Sequence, residues 1–322
     1  MNSHVVGIDI GGTKLATVVA DKDGNILHKV RKPTESEKGP HHAVQLLLGM
    51  VEEVLELAGL QREDISGIGV SCGGPLDTKT GIIYSPPNLP GWDALPLKDM
   101  IESEFHIPTV IENDANASAL AEARFGGGRG YDYVLYMTMS TGIGGGIVAN
   151  REIYHGANDS AGEVGHQILL PGGPLCGCGQ RGCLEALCSG PSIARRAQEA
   201  VENQPHTRIL ALADGQVDRV RSEHVLQAAR DGDALGLVLV EETAYYMGWG
   251  IANLVNILNP QIVLLGTVAV AAGDLLLDPI RRTVAEMAMQ RPREAVKIMP
   301  AELGDAIGDL AAISLVIGNS DP

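Results

Sequence analysis

Short unbroken apolar runs alternate along the chain with longer stretches at helical spacing. Residues 5–10, 15–20 and 26–30 are three apolar runs, parted by the turn signals Gly11-Gly12-Thr13-Lys14 and Asp21-Lys22-Asp23-Gly24-Asn25. Strand, tight turn, strand, turn, strand predicts a β-meander rather than a βαβ unit. From 39 to 60, Ala43, Leu46, Leu47, Met50, Val51, Val54 and Leu55 share one face of a 3.6-residue period, which predicts an amphipathic helix. A buried strand over 65–71 runs into Gly73-Gly74-Pro75-Leu76-Asp77, with a small hairpin over 78–84 and an irregular loop over 85–92. A helix (97–105), a strand (108–111) and an Ala-rich helix ending at Phe125 follow. Gly126-Gly127-Gly128 ends that helix. Then come a strand (134–139), a second Gly-rich turn from Ser140 to Gly146, and a further strand. Beyond 185 the pattern is mostly helical: 185–201 with a restart at Ser189-Gly190-Pro191, then 222–230 and 233–257. A core strand (262–265) ends in Gly266-Thr267, and a helix (274–290), a strand (296–298) and a last helix (306–317) complete the chain. Residues 204–219 carry little pattern.

With 322 residues, the chain has length for about two domains. Aromatics are only 3%, so Val, Ile, Leu and Ala must build the cores. The formal net charge of −16 argues against a nucleic-acid surface, which needs clustered Lys and Arg. No apolar run is long enough to span a bilayer, and no signal peptide precedes the first strand. The five cysteines are odd in number and three share one loop, which points to a reducing cytoplasm rather than a disulfide framework.

That loop carries the most specific chemistry. His166, Cys176, Cys178 and Cys183 fall within eighteen residues, separated by glycines and prolines that cannot hold a loop by burial. A tetrahedral zinc ion with these four ligands would fix it, and a site closed by four protein ligands is structural. An incidental cysteine cluster or a redox pair is the alternative. Glu163 and Glu185 bracket the cluster as acceptors for a polar ligand. Elsewhere, Gly11-Gly12-Thr13 can bring N–H groups and a hydroxyl to a phosphate, or be a plain hairpin turn. It is not a Walker loop. Ser140–Gly146 repeats the theme, which suggests a duplicated fold with one phosphate loop per half. Glu112-Asn113-Asp114 stand between a strand and a helix, where α/β folds place sites. Asn113 or Asp114 could equally be a cap. At a helix N-terminus an aspartate is held ionised and can accept a proton. Asn88, in the 85–92 loop, can both donate and accept.

In order and rough spacing, Asp9–Thr13, Gly69–Asp77, Glu112–Ala115, Ser140–Gly146, Glu163–His166 and Cys176–Glu185 resemble the ROK sugar kinases, in particular the bacterial ATP-dependent glucokinases. The His plus Cys-Gly-Cys-Gly-x-x-Gly-Cys-x-Glu pattern is the most specific part. The resemblance implies the actin-like, hexokinase-like ATPase fold, with two ribonuclease-H-like α/β domains around a cleft. These would be a small domain (1–117 plus 304–322) and a large one with the zinc loop (118–303). It implies ATP, Mg²⁺ and structural Zn²⁺ as cofactors, and a hexose, first of all glucose, as substrate. Asp114 would be the catalytic base. Asn88, Asn113, Glu163, His166 and Glu185 would clamp the sugar beside it. Gly12, Thr13, Lys14, Thr141 and Gly142 would hold phosphates, Asp9 would lie near Mg²⁺ through water, and Gly266 would mark the adenosine side. Kinases for N-acetylmannosamine, N-acetylglucosamine, mannose or fructose are the neighbouring readings. A sugar-sensing regulator is remote, since only Met1–His4 precede the first strand. Family members are commonly homodimers or homotetramers. Two departures stand out: Gly73-Gly74-Pro75 replaces Pro-Gly-Pro, and Thr267 replaces the second glycine of the adenosine motif.

Overall fold

The computed structural model describes residues 3–318. The chain divides into two compact units. One holds the residues up to Gly130, the segment Gly146–Ala161 and the residues from Leu303 onward; the other holds Tyr131–Gly145 and Gly162–Glu302. A boundary at 117 would cut the helix 114–125, which lies whole in the first unit.

In chain order the first unit runs β1 (His4–Ile10), β2 (Lys14–Asp21), β3 (Ile26–Pro33), α1 (Pro40–Ala58) and β4 (Ile65–Cys72). Three two-residue strands follow, β5 (Leu76–Asp77), β6 (Ile82–Ile83) and β7 (Leu95–Pro96), then α2 (Leu97–Phe105), β8 (Thr109–Asn113) and α3 (Asp114–Phe125). The main sheet has the order β3-β2-β1-β4-β8. The predicted meander is there, with β1, β2 and β3 antiparallel, and β1, β4 and β8 run parallel. β1 and β2 read as continuous apolar runs because the sheet is covered on both faces. α1 and α2 cover one face. The C-terminal helix (Ile307–Ser314) and the turn after it cover the other, packing Ile313 and Ile317 on Val5, Val18 and Ala20. β3 is the outer strand, and its exposed His28, Lys29 and Arg31, with half-buried Lys32, blunt that edge.

The C-terminal helix lies unusually close to the sheet. A methyl group on Gly69 of β4 would sit 2.0 Å from the Ala312 carbonyl oxygen. Against α3 it meets Ala117 and Ala121 with Ala311, which explains the alanine-rich composition of α3. Buried Glu122 of α3 ties down the returning chain by accepting from the Leu303 N–H at 3.0 Å. The expected small hairpin forms from β5 and β6, and β7 adds a third strand.

The second unit contains β9 (Tyr133–Met137), α4 (Leu184–Cys188), α5 (Gly190–Val201), α6 (Arg208–Leu212), α7 (Ser222–Arg230), α8 (Ala234–Leu258), β10 (Ile262–Leu265), α9 (Val268–Ala272), α10 (Asp274–Met287), α11 (Gln290–Ala295) and β11 (Lys297–Pro300). β10 pairs in parallel with β9 on one side and β11 on the other. The helix expected over 274–290 stops at Met287, and Ala288 is extended before α11 begins. α6 lies in the stretch without period; Thr207 caps it and Asp233 anchors it through the Thr207 hydroxyl at 2.9 Å and the Arg208 N–H at 2.8 Å. No described helix is long and apolar enough to cross a membrane.

Candidate active site

In the first unit, β1, β4 and β8 end side by side. Asp9 lies opposite Ser71, Ser71 opposite Glu112, and Cys72 opposite Asn113. The carboxyl ends of parallel strands are where such sheets bind ligands. Asn113 is the cap of α3, its Oδ1 accepting the N–H groups of Ala115 at 2.9 Å and Asn116 at 3.3 Å. Asp114 is the helix's first residue. It is exposed, and its Oδ1 accepts the Ala115 N–H at 2.8 Å. The surrounding protein disfavours its charge and raises its carboxyl above the ordinary aspartate range, and the backbone donors at the helix start only partly offset this. The helix mouth alone would have predicted the opposite sign.

Asp9 is pushed up to about 6, first by burial and then by the Asp309 and Asp114 carboxylates, against the pull of Lys29 and Arg31. It abuts the start of the C-terminal helix: a methyl on Gly308 would lie 2.5 Å from Asp9 Oδ2. Asp309 pairs with Lys29.

Beneath Asn113 lies a hub that local sequence pattern did not mark. Glu112 is buried, and its Oε1 accepts from the Asn113 N–H at 2.8 Å and Asn116 Nδ2 at 3.1 Å. Its Oε2 meets His155 Nε2 at 2.7 Å. That hydrogen bond to Glu112 is the main reason the His155 imidazole is raised above its usual range. His155 lies 43 residues further along, so only the folded chain joins the two.

The first Gly-rich turn is braced from within the same unit. The Thr34 hydroxyl donates to the Gly11 carbonyl at 2.7 Å, the Ser36 hydroxyl to the Gly12 carbonyl at 2.8 Å, and the Thr34 N–H to the Thr13 carbonyl at 3.1 Å. Asn88 packs directly on it: a methyl on Gly12 would fall 2.8 Å from the Asn88 carbonyl oxygen. Gly12 thus admits the Asn88 loop, whatever else it admits. Lys14 starts β2 with its side chain exposed.

In the second unit, His166, Cys176, Cys178 and Cys183 converge, with their ligand atoms all within 4.8 Å of one another. Cys178 Sγ and Cys183 Sγ are 3.7 Å apart, and Cys176 Sγ and His166 Nδ1 are 3.6 Å apart. Zn–S near 2.3 Å and Zn–N near 2.1 Å give tetrahedron edges of about 3.8 Å and about 3.6 Å. The donor set therefore fits zinc in kind and in spacing. With Nδ1 on the cysteine side, His166 turns Nε2 toward Glu163 Oε2 at 3.7 Å, and Glu163 is largely exposed.

Glu185 joins this loop to the second Gly-rich turn. Its Oε2 accepts the Ile143 N–H at 3.0 Å, and its Oε1 lies 3.4 Å from Cys176 Sγ. A methyl on Gly142 would sit 2.5 Å from Glu185 Oε2. The turn is also held by the Gly190 N–H, at the head of α5, donating to the Ser140 carbonyl at 2.8 Å. Ser140, Thr141, Gly190 and Val268 line a cavity of about 460 Å³ that extends along α5 to Gln198 and across to Arg221 and Glu223. Gly266 ends β10 just before Thr267. Thr267 adopts φ 51°, ψ −107°, a strained backbone for a β-branched residue. Its hydroxyl is turned back on Met139, donating to the carbonyl and accepting from the N–H at 3.0 Å.

A sequence model of the ROK family matches residues 5–319. The glucokinase of Halalkalibacterium halodurans is 38% identical over 304 residues, covering 94% of this chain and 92% of its own. Among solved structures, a ROK family glucokinase from Streptomyces griseus in complex with glucose and AMPPNP is 34% identical, with a TM-score of 0.80 over 97% of this chain and 99% of that one. The ROK hexokinase from Thermus thermophilus is 36% identical with a TM-score of 0.81, over 97% of each chain. The mixed α/β architecture is thus that of the ROK kinases, and the chain belongs to the ROK family.

Proposed function

We propose that this protein phosphorylates a hexose with ATP, converting glucose to glucose 6-phosphate. The observation that carries the reading is Asp114, an exposed carboxylate at a strand-to-helix junction with a raised pKa. Such a group, once ionised, is a stronger base than an ordinary aspartate. The glucose and AMPPNP bound by the Streptomyces griseus relative point to the same substrates.

In this reading Asp114 takes the proton of the sugar's 6-hydroxyl as that oxygen bonds the γ-phosphorus and the bond from phosphorus to the β–γ bridging oxygen breaks, releasing ADP. Asn88, Asn113, Glu163 and His166 answer the remaining hydroxyls, and a site built of such partners rejects a sugar lacking one hydroxyl. Glu185 would complete the clamp, with its Oε2 holding the second turn through Ile143. The first turn has its carbonyls committed to Thr34 and Ser36, which suits the N–H groups of Gly12, Thr13 and Lys14 to phosphate. Thr141 and Gly142 do the same from the second turn, with Gly266 on the adenosine side. Asp9 would hold Mg²⁺ through water, and that ion would supply charge neutralisation during transfer. His166, Cys176, Cys178 and Cys183 would hold Zn²⁺ as a fastening for the loop that presents Glu163 and His166. Reduced thiols in such a loop suit a reducing cytoplasm, and the resemblance supports a homodimer or homotetramer. ADP release measured against a panel of hexoses, with and without Mg²⁺, tests the proposal. Glucose should give the highest kcat/KM, and no Mg²⁺-dependent turnover of any hexose would end it.

A further inference from the structure

We propose that Gln198 and Arg195 read the base of the phosphoryl donor and make the site selective for adenine over 6-oxopurines. This rests on the ATP-dependent reading above and goes beyond it by naming what sets the nucleotide preference.

The cavity beside the second Gly-rich turn is walled along one side by α5, through Gly190, Pro191, Ala194, Arg195 and Gln198. Gly190 is bonded to Ser140 in the turn. Gln198 lies eight residues on, a rise of about 12 Å along the helix. If phosphate sits at the turn, a nucleoside laid along α5 brings its base to Arg195 and Gln198. These two are neighbours on one helix face at a spacing of three.

Their hydrogen-bonding state is asymmetric. Gln198 Nε2 donates to the Val220 carbonyl at 3.1 Å. Rotating the amide would set oxygen against oxygen, so the bond fixes its orientation and leaves Oε1, an acceptor, as the group offered to the cavity. Arg195 spends Nη1 on Glu199 Oε1 at 2.9 Å, whereas its Nη2 is buried with no hydrogen-bond partner. A buried guanidinium N–H in that state suits an acceptor on a ligand. Arg221, on the far wall, has its Nη1 engaged by the Asp218 and Val220 carbonyls. The cavity therefore presents an acceptor beside a donor.

Adenine presents the complement, an exocyclic amine donor beside a ring-nitrogen acceptor. A 6-oxopurine such as guanine puts a carbonyl where the amine stood. Against inosine or guanosine triphosphate, Gln198 Oε1 would face O6, acceptor against acceptor. Glu223 is the other acceptor in the wall, and its place in the exposed first turn of α7 suits the ribose hydroxyls.

The test is kcat/KM for ATP, ITP and GTP at saturating glucose, together with calorimetric binding of ADP and IDP, in wild type and in Gln198→Leu, Arg195→Met and Glu223→Gln. Melting temperatures check that each variant is folded. Wild type should prefer ATP over ITP by about 10- to 100-fold, the size of one good hydrogen-bonded pair to a base. Gln198→Leu should bring that ratio near unity by raising KM for ATP, with kcat unchanged. Arg195→Met should weaken ADP binding, and Glu223→Gln should leave the ratio intact. Equal use of ATP and ITP by wild type, a preference that survives Gln198→Leu, or one lost in Glu223→Gln would overturn the inference. If no triphosphate supports turnover, the kinase reading fails, and the ADP-to-IDP binding ratio still decides the inference separately.

Discussion

Replacing Asp114 by Asn removes a proton acceptor and little else. The amide oxygen can still accept the Ala115 N–H, and the cap of α3 belongs to Asn113, so the helix start survives. The stability cost should stay below about 1 kcal/mol, within the usual range for a change near a cap. A sugar hydroxyl can still bond an amide, so glucose affinity should change by no more than a few-fold. The chemical step loses its base, worth about 10²- to 10⁴-fold, or about 2.7–5.5 kcal/mol in the barrier. The pH profile adds a second readout. A base must be unprotonated to act, and the protein around Asp114 raises its pKa. Wild-type kcat/KM should therefore fall on the acid side at a higher pH than an unperturbed aspartate near 3.9 would allow. Asp114→Asn should abolish that limb along with the rate. Coupled ADP release gives kcat and KM, and calorimetry gives glucose binding. A variant with kcat within tenfold of wild type, or with normal turnover at saturation and lost glucose binding, would refute the assignment.

Three further perturbations test other parts of the reading. Cys178→Ser should lower bound zinc and glucose affinity together, since Cys178 sits 3.7 Å from Cys183 in the ligand cluster; metal analysis beside calorimetry checks this, and a metal-free variant with unchanged affinity would contradict it. Asp9→Asn should stabilise the Mg²⁺-free protein while impairing catalysis. A carboxyl raised from 3.8 to about 6 costs the fold at most about 3 kcal/mol at neutral pH, at 1.36 kcal/mol per pH unit. That cost vanishes below pH 4 and grows as the pH rises through 6, so urea melts of the two proteins should converge in acid and separate at pH 7.5. His155→Ala leaves buried Glu112 Oε2 without its partner and should cost about 1–3 kcal/mol. Because the His155 pKa is raised on folding, the ionic part of that loss is full below the ordinary histidine value and fades as the pH climbs through the raised one. Equal losses at pH 6 and pH 9 would count against the ion pair.

Local pattern was enough for whatever one element decides alone. The meander, α1 and α8 follow from runs and periods, and the cysteine cluster follows from spacing, because a loop of glycines has no other means of support. What stayed hidden was partnership across distance. The sequence read Glu112 as a neighbour of Asn113, and nothing in it pointed to His155. It read Gly12 as a phosphate contact, whereas the closest obstacle to a side chain there is the Asn88 backbone. It read Glu185 as a sugar acceptor, yet one of its oxygens holds Ile143 in the opposite Gly-rich turn. Thr267 stands where the family motif has a second glycine, and its hydroxyl is spent on Met139. In each case the fold adds an obligation that periodicity cannot express.

The C-terminal helix shows why such obligations matter to function. Alanines in α3, glycines in β1 and β4 and a weakly amphipathic final segment are unremarkable one by one. Together they describe one close packing: Ala311 against Ala117 and Ala121, and Ala312 over Gly69. That packing brings Gly308 against Asp9 and Asp309 against Lys29, so the charge balance around Asp9 is set by residues three hundred positions away. The Asp114 carboxylate enters the same balance, being one of the charges that raise Asp9. The charge that Asp9 can carry is therefore in part a property of how the last helix closes on the first strand.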